Sequence, residues 1–190
     1  MSQSPLPHPR ERLIEAARLL FLHEGVPQTG INTVTAMAGV ARMTLYNNFD
    51  SKEDLVVEVF KREACLRRSA IKDTQATLEG PFEKALALFV VAEELTTLDG
   101  FRGCAFINLA VEAAAPESSL HTLAKQHKEW IYENVLAHLV DGSFSSPADL
   151  AKQVCILWDG SIVNSYIHQS NAPISVARDA ARSLMRAAVS

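Results

Sequence analysis

The feature that most constrains this chain is residues 31–49, a stretch that predicts two short helices joined by a tight turn. In its first half, Ile31, Val34 and Ala38 recur at helical spacing and form one apolar stripe. Gly39 follows, and glycine accepts the positive φ angle that a tight turn between steeply crossing helices requires. The pattern therefore predicts a helix-turn-helix, with its second helix beginning just after the turn.

The second helix of this pair has a polar outer face. Val40, Leu45 and Phe49 are spaced to face inward, which leaves a guanidinium, a hydroxyl, a phenol and two amides outside. Such groups hydrogen-bond to base edges and phosphates in the major groove of DNA. The alternative is an ordinary helical hairpin with a solvated face, and periodicity alone leaves both interpretations open.

The order of residues in this region resembles the N-terminal signature of the TetR family of bacterial transcriptional regulators. The resemblance covers residues 10–60 and rests on Ala38-Gly39-Val40, Thr44-Leu45-Tyr46, Phe49 and Ser51-Lys52-Glu53-Asp54-Leu55. Two positions depart from the family pattern. Ala41 stands where a serine commonly caps the helix, a loss of about 1 kcal/mol, and Asn48 stands where a histidine commonly precedes the phenylalanine. Asparagine can still donate a hydrogen bond to phosphate, so neither difference argues against DNA binding. Both differences indicate an individual operator sequence.

The resemblance implies an all-α fold with two parts. A mobile arm at residues 1–9 is expected to precede a three-helix helix-turn-helix head at residues 10–56. A connector helix should join this head to a C-terminal helical domain, residues 57–190, that binds a ligand and dimerises. The rest of the chain agrees with an all-α fold, because no segment alternates apolar and polar residues as a half-buried strand would.

DNA contacts are expected from the head. By resemblance, Lys52 and Tyr46 should contact phosphates, while Arg42 and Thr44 should reach base edges or adjacent phosphates. The acidic excess of the chain lies away from the head. Residues 1–68 carry nine Lys or Arg and eight Asp or Glu, whereas residues 69–190 carry nine Lys or Arg and fourteen Asp or Glu. The expected DNA-binding residues are Thr33, Arg42, Met43, Thr44, Tyr46, Asn47, Asn48 and Lys52.

A ligand pocket is expected between the long helices of the C-terminal domain. Its polar members are the better indicators, because a buried polar group needs a partner and a ligand can supply one. The candidates are Phe89, Phe106, Asn108, Glu112, His127, Trp130, Trp158 and Asp159. Cys104 has two interpretations that the sequence leaves open: a small residue packed at a tight helix start, or an electrophile or oxidation sensor activated by Arg102.

The last two helices carry small and apolar residues at helical spacing, which either close the core of the chain or pair with a second subunit. The resemblance favours pairing, since TetR-like proteins usually dimerise through a four-helix bundle of these helices. A two-fold dimer also presents two recognition helices about 34–36 Å apart, one turn of DNA. The expected dimer residues are Leu150, Val154, Leu157, Ile162, Ala177, Ala181, Leu184 and Met185.

Together these features predict a cytoplasmic, homodimeric repressor that a small molecule releases from an inverted-repeat operator. An activator, or an interaction module of the same fold, is the alternative. No metal, cofactor or membrane partner is expected: the three cysteines lack zinc-site spacing, the apolar run Ala85–Ala92 is too short to span a bilayer, and Met1–Pro9 carries no secretory signal. Histidines and carboxylates show no catalytic spacing, so an enzyme is not predicted.

Overall fold

The computed structural model describes residues 7–113, 115–142 and 144–189. These ranges contain nine α-helices and no β-strand, which confirms the predicted all-α fold. Residues 1–6 of the expected N-terminal arm lie outside the described residues. The helices are α1 (Pro9–His23), α2 (Ile31–Ala38), α3 (Arg42–Tyr46), α4 (Lys52–Ala76), α5 (Gly80–Thr96), α6 (Ala105–Glu112), α7 (Ser119–Asp141), α8 (Pro147–His168) and α9 (Ala172–Ala187).

Local chemistry sets several helix ends. Pro9 occupies the first position of α1, where its missing N–H is no loss. Gly39 ends α2 in the left-handed conformation at φ 62°, as the turn requires. Ser51 caps α4, because its hydroxyl accepts a hydrogen bond from the Asp54 N–H at 3.0 Å.

The helix-turn-helix is held at its turn by a side chain from α1. The Arg12 guanidinium donates to the Ala38 carbonyl at 2.9 Å through Nε and at 2.7 Å through Nη2. It also donates to the Gly39 carbonyl. These are carbonyls that the end of α2 leaves without helical partners. Arg12 therefore fixes the turn from which α3 departs, over a core that includes Leu13, Val34 and Leu45.

The C-terminal part is a bundle in which α8 packs against α7 and α9, and α5 lies across them. Two polar contacts, one buried and one partly buried, join its long helices. Trp158 Nε1 donates to the Leu88 carbonyl at 3.1 Å, which joins α8 to α5. Gln75 Nε2 donates to Asn134 Oδ1 at 2.8 Å, which joins the end of α4 to α7. None of the helices in the described ranges has the length and apolar content needed to cross a membrane.

The helix α4 connects the two parts. Its first half closes the head with Leu55 and Val59, both fully buried. Farther along, Phe60 meets Phe106 of α6 edge-on, with ring centroids 5.7 Å apart. Glu63, 1% exposed, lies between Arg18 of α1 at 3.6 Å and Arg67 at 2.5 Å. A buried carboxylate needs such partners, so this trio ties α1 to α4 just below the head.

Removing the Arg12 guanidinium should loosen the turn. We expect Arg12→Met to lower the free energy of unfolding by about 1.5–3 kcal/mol, the usual worth of a charge-assisted hydrogen-bond group, as measured by urea denaturation. Arg10→Met is the matched control, because the Arg10 guanidinium lies on the same helix over the Phe49 ring and near the carboxylates of Glu11 and Glu58. Equal losses in the two variants would contradict a specific role for Arg12.

Candidate functional site

The outer face of the helix-turn-helix presents exposed side chains in front of a fully buried Leu45. Arg42, Met43, Tyr46 and Asn47 are all exposed on or directly after α3. Arg42 lies over the Tyr46 ring, with its Cζ 5.6 Å from the centroid, and donates weakly to the phenol oxygen at 3.4 Å. The pair forms a compact cationic and aromatic surface that can reach a groove edge or a phosphate.

Three of the predicted DNA-binding residues differ from this exposed group. Asn48 and Lys52 make hydrogen bonds within the chain, and Thr33 lies on the neighbouring helix α2. The Asn48 amide donates to the Thr44 carbonyl at 2.7 Å and so caps the end of α3 from within. The Lys52 ammonium is half-buried and donates to the Val26 carbonyl at 2.7 Å. Thr33 is exposed in the first turn of α2. Ala41 is the cap residue before α3 and makes no side-chain hydrogen bond, because its side chain is apolar.

A cavity of about 340 Å³ lies where the head meets the bundle. One wall is the end of α1 and the following loop, including Phe21 and Val26. The opposite walls come from α5, α6, α7 and α8, and Phe60 of α4 closes the gap between them. The head therefore supplies part of the lining, so a molecule that filled this cavity would contact both parts of the chain.

Five of the eight predicted ligand-binding residues line this cavity, and three do not. The lining residues are Phe106, Asn108, Glu112, His127 and Trp158. Phe89 is fully buried in the core instead. Trp130 stacks under Arg68, 5.2 Å from its Cζ, and Asp159 pairs with Lys128. Aromatic residues at helical spacing serve core and cavity alike, which is why the sequence did not separate these groups.

Among the cavity-lining residues, His127 has a strongly lowered pKa. Its ring stacks on Phe106 with centroids 3.7 Å apart, and its Nδ1 has no hydrogen-bond partner in the described structure. Burial, together with the positive charges of Lys128, Arg68 and Arg67, lowers the pKa of His127 to about 3. The imidazole is therefore neutral at physiological pH, with one donor and one acceptor nitrogen.

Cys104 lines the same cavity and begins α6 as its N-terminal cap. Lys128 of α7 donates to the Cys104 sulfur at 3.4 Å. The same ammonium pairs with Asp159 and lies 4.6 Å from the Trp158 ring centroid. Burial alone would lower the pKa of Lys128, but its interactions with Cys104 and Asp159 raise it, so the ammonium stays charged. Lys128 is thus a cation beside Cys104 that the sequence did not indicate, and Arg102 lines the same cavity.

The cavity wall also contacts the head through Glu112, at the end of α6. Val26 donates its N–H to the Glu112 carboxylate at 3.3 Å, in the loop between α1 and α2. Burial lowers the pKa of the Lys52 ammonium, and the nearby Glu112 charge opposes that shift. Glu53 on α4 accepts a hydrogen bond from Ser119 on α7. These polar contacts connect the cavity walls to the base of the helix-turn-helix.

The predicted dimer residues lie largely inside the chain. Six of them are buried in its own core: Leu150, Val154, Ile162, Ala177, Ala181 and Met185. Leu157 is half-buried and Leu184 is exposed. The core stripe and the outer stripe are both apolar, so periodicity did not distinguish them. The outer stripe of α8 consists of Ile156, Gly160, Val163 and Ile167, all exposed at helical spacing, and Val176 and Leu184 are exposed apolar residues on α9.

The cavity residues contributed by α1 and α4 were not predicted from the sequence, and neither was Lys128. Phe21 of α1 and Phe60 of α4 are buried and also line the cavity, so their apolar stripes serve both core and cavity. No local signal marks Lys128, because its partners Cys104 and Asp159 are distant along the chain. By contrast, the outer apolar stripe of α8 has a recognisable spacing that a search for a second stripe could have found.

Residues 13–59 match the family model described as "Bacterial regulatory proteins, tetR family". This match covers the helix-turn-helix, its exposed recognition face and the start of α4. The chain is a DNA-binding transcriptional regulator of the TetR family. The sequence resemblance stated above is thereby confirmed.

Curated TetR-type regulators resemble the chain over nearly its full length. The transcriptional repressor DhaR of Mycobacterium sp. strain GP1 is 25% identical over 181 residues, covering 92% of this chain and 89% of DhaR. The regulator YjdC of Escherichia coli K12 is also 25% identical, over 90% of each chain. The similarity therefore extends beyond the DNA-binding head into the helical bundle.

Solved structures show the same fold. A TetR-family transcriptional regulator from Streptomyces coelicolor superposes with a TM-score of 0.90 at 22% identity, covering 100% of this chain and 98% of that one. A putative TetR-type regulator from Streptomyces avermitilis gives a TM-score of 0.77 at 26% identity, over 92% and 98% of the two chains. The arrangement of head, connector and bundle is thus that of TetR-family structures.

His127 should make this TetR-family protein sensitive to acid. Because its pKa is lower in the folded chain than in the unfolded chain, its contribution to stability is present above about pH 6.5 and is lost as the pH falls toward 3. We expect up to about 1.4 kcal/mol of this contribution to be lost per pH unit in that window. His127→Leu should reduce the fall in unfolding free energy between pH 7 and pH 5. His121→Leu on the same helix is the control, and equal slopes in both variants would contradict this cause.

Proposed function

We propose that this protein is a cytoplasmic, homodimeric repressor that a small molecule in the cavity releases from an inverted-repeat operator. The observation that carries the proposal is the position of the cavity, which is walled by the head and the bundle together. A ligand can shift an equilibrium only if it binds two conformations differently. A cavity whose walls include α1 changes shape whenever the head moves, so it meets this condition. DNA binding in turn places the proposed activity where bacterial DNA lies, in the cytoplasm.

The DNA-facing part of the proposal rests on α3. Arg42 and Tyr46 stand exposed and in contact with each other, and Met43 and Asn47 flank them. Arginine at such a position forms paired hydrogen bonds with guanine, while the phenol reaches a phosphate. Asn48 would support α3 through its bond to the Thr44 carbonyl. Lys52 would act partly by holding the loop that carries Val26.

Dimerisation is supported by the outer stripe of α8 and α9. Ile156, Ile167 and Val176 are 72%, 64% and 69% exposed, although all three are large apolar side chains. Gly160 lies in the same stripe, and nothing lies within 4 Å of where its Cβ would be. An apolar stripe with a small residue at its centre allows two helices to approach closely. A second copy placed on it through a two-fold axis would form a four-helix interface.

The route from cavity to DNA would run through α6. Phe106, Asn108 and Glu112 all line the cavity from this helix. Glu112 also accepts the hydrogen bond from Val26, in the loop that leads into α2. A ligand that displaces α6 would therefore pull or release this loop. In a dimer, a small rotation of each head changes the separation of the two recognition helices and weakens their simultaneous fit to DNA.

Selection of bound fragments from a random DNA pool tests the proposal. We expect the wild-type protein to enrich an inverted repeat, and Arg42→Ala to bind that repeat more weakly by about 1–3 kcal/mol with relaxed preference at one base position. Lys61→Ala removes an equal charge from the exposed face of α4 and is the matched control. Failure of the wild type to enrich any repeat at low or moderate salt would contradict the proposal.

The proposed dimer can be tested separately from DNA. Ile156→Glu places a charge in the middle of the apolar stripe, and we expect it to shift the protein from dimer to monomer in sedimentation equilibrium. Val111→Glu, a similar change at an exposed valine of α6, should leave the dimer intact. A wild-type monomer at micromolar concentration would contradict the proposed interface, as would a dimer that Ile156→Glu does not weaken.

A further inference from the structure

We propose that the cavity binds small amphiphilic carboxylates, with the carboxylate on the guanidinium of Arg102 and the apolar part against the aromatic walls. This inference rests on the proposed function, because it names the chemical class of the ligand that would act at the same cavity. Three features of the described residues carry it: a guanidinium on the cavity wall without an anionic partner, a buried imidazole nitrogen without a hydrogen-bond partner, and an apolar lining around them.

Arg102 is a half-buried cation that lines the cavity from the loop before α6. Within residues 7–113, 115–142 and 144–189, its guanidinium makes no ion pair and no hydrogen bond. Its backbone is fixed, since Asn108 Nδ2 donates to the Arg102 carbonyl at 2.9 Å. A guanidinium presents parallel N–H groups at a spacing that matches the two oxygens of a carboxylate. A carboxylate is therefore the ligand group that this side chain favours.

The acidic groups on the cavity wall are better exposed to water than Arg102. They are Asp99 and Glu112, and both are exposed. The other two arginines on the wall already pair with the buried Glu63. An exposed carboxylate keeps its hydration, whereas a half-buried guanidinium without a counter-charge has lost part of its own and gains more from a partner. The cavity therefore favours an anionic ligand over a cationic one.

A second polar group on the cavity wall lacks a partner. His127 is 2% exposed, and its Nδ1 has no hydrogen-bond partner in the described part of the chain. A buried polar group without a partner costs free energy, which a ligand oxygen can recover. Burial and the positive charges of Lys128, Arg68 and Arg67 lower the pKa of His127 to about 3. The charges that perturb this ring are positive, so a negative charge in the ligand is favoured here as well.

The remaining lining is mostly apolar and determines the rest of the ligand. Phe21, Phe60 and Phe106 reach the cavity from α1, α4 and α6, and Ile71 and Val91 add aliphatic walls. With a volume of about 340 Å³, the cavity lies near the lower end of the usual range for ligand sites, about 300–1,000 Å³. A short fatty acid or an arylalkanoic acid joins a carboxylate to an apolar body of suitable size. A sugar phosphate would leave the aromatic walls without apolar contacts.

Arg102 also lies against the loop between α1 and α2. A Cβ at Gly25 would lie 2.7 Å from Arg102 Nη1 and 3.2 Å from Glu112 Oε1, so both side chains approach this loop at one point. Glu112 accepts the hydrogen bond from Val26, the next residue. A carboxylate bound to Arg102 would bring a second negative charge toward Glu112, and like charges repel. Ligand binding would therefore weaken the contact between α6 and the loop that leads into α2.

The probe for the test is octanoate, compared with octanamide, which has the same chain without the charge, and with the cation octylamine. In isothermal titration calorimetry, the full-length protein should bind one octanoate per chain, about tenfold more tightly than octanamide, because charge-assisted hydrogen bonds are about twice as strong as neutral ones. Equal affinities for octanoate and octanamide would overturn the inference. Tighter binding of octylamine would also overturn it, as would the absence of octanoate binding at millimolar concentration.

Variants test the role of Arg102. Arg102→Gln should lower the octanoate affinity by about tenfold and leave the octanamide affinity unchanged. Arg102→Lys keeps the charge but loses the paired geometry, so its octanoate affinity should lie between those of Arg102→Gln and the wild type. Lys61→Gln removes a cation from the exposed face of α4, outside the cavity, and should bind octanoate as the wild type does. Wild-type octanoate affinity in Arg102→Gln, with the fold verified by thermal unfolding, would overturn the inference.

Release from the selected DNA fragment, measured by gel shift, should occur at about tenfold lower concentration of octanoate than of octanamide. Calorimetry needs no DNA, so the two proposals can fail separately. Octanoate binding that depends on Arg102, in a protein that binds no operator, would refute the proposed function and support the ligand class. Operator binding by a protein that does not distinguish octanoate from octanamide would refute only the ligand class.

Discussion

The structure depends on the burial of α1 from two sides. Leu13 and Ala17 are fully buried and fix the helix in the head, while Phe21 forms part of the cavity wall. Between these regions, Arg18 reaches Glu63 of α4. One helix therefore joins the cavity wall to the helix-turn-helix, and in the proposed mechanism it would transmit a displacement from one to the other, because close-packed side chains pass on displacement instead of absorbing it.

The charged groups at this junction make the connection specific. Glu63 is almost fully buried, and a carboxylate there requires both Arg18 and Arg67 to offset its desolvation. These ion pairs join α1 to α4. Glu112 and Val26 add a weaker, exposed contact that can break at small cost. The junction thus combines a buried ion-pair network with an exposed hydrogen bond, and the proposed switch would break the exposed bond first.

Much of the fold could be predicted from the sequence because its signals are local. Pro9, Gly39 and Ser51 mark helix ends by conformational or capping preferences that need no tertiary information. The exposed face of α3 could be predicted because Leu45 and Phe49 are spaced to face inward, and both are buried in the structure. In such elements the sequence pattern and the tertiary packing agree.

The cavity and the outer stripe could be predicted only in part, because helices of the bundle are apolar on more than one face. On α8, Val154 faces the core and Ile156 faces outward, and both fit a helical stripe. Phe89 and Phe106 likewise look alike in the sequence, yet only Phe106 reaches the cavity. Lys128 could not be identified from the sequence, because its partners Cys104 and Asp159 are distant along the chain and come close only in the folded protein. Which apolar face turns inward is decided by the packing of whole helices.

The central claim, that occupancy of the cavity controls the head, can be tested without knowing any ligand. Ala105→Phe places a ring in the cavity from the start of α6, whereas Ala137→Phe places one on the exposed side of α7. With fold and oligomeric state verified, the affinity of each variant for the selected DNA would be measured by fluorescence anisotropy. The account predicts a loss of about 5- to 150-fold for Ala105→Phe alone, the usual range of allosteric coupling. Unchanged affinity in a correctly folded Ala105→Phe protein would contradict it.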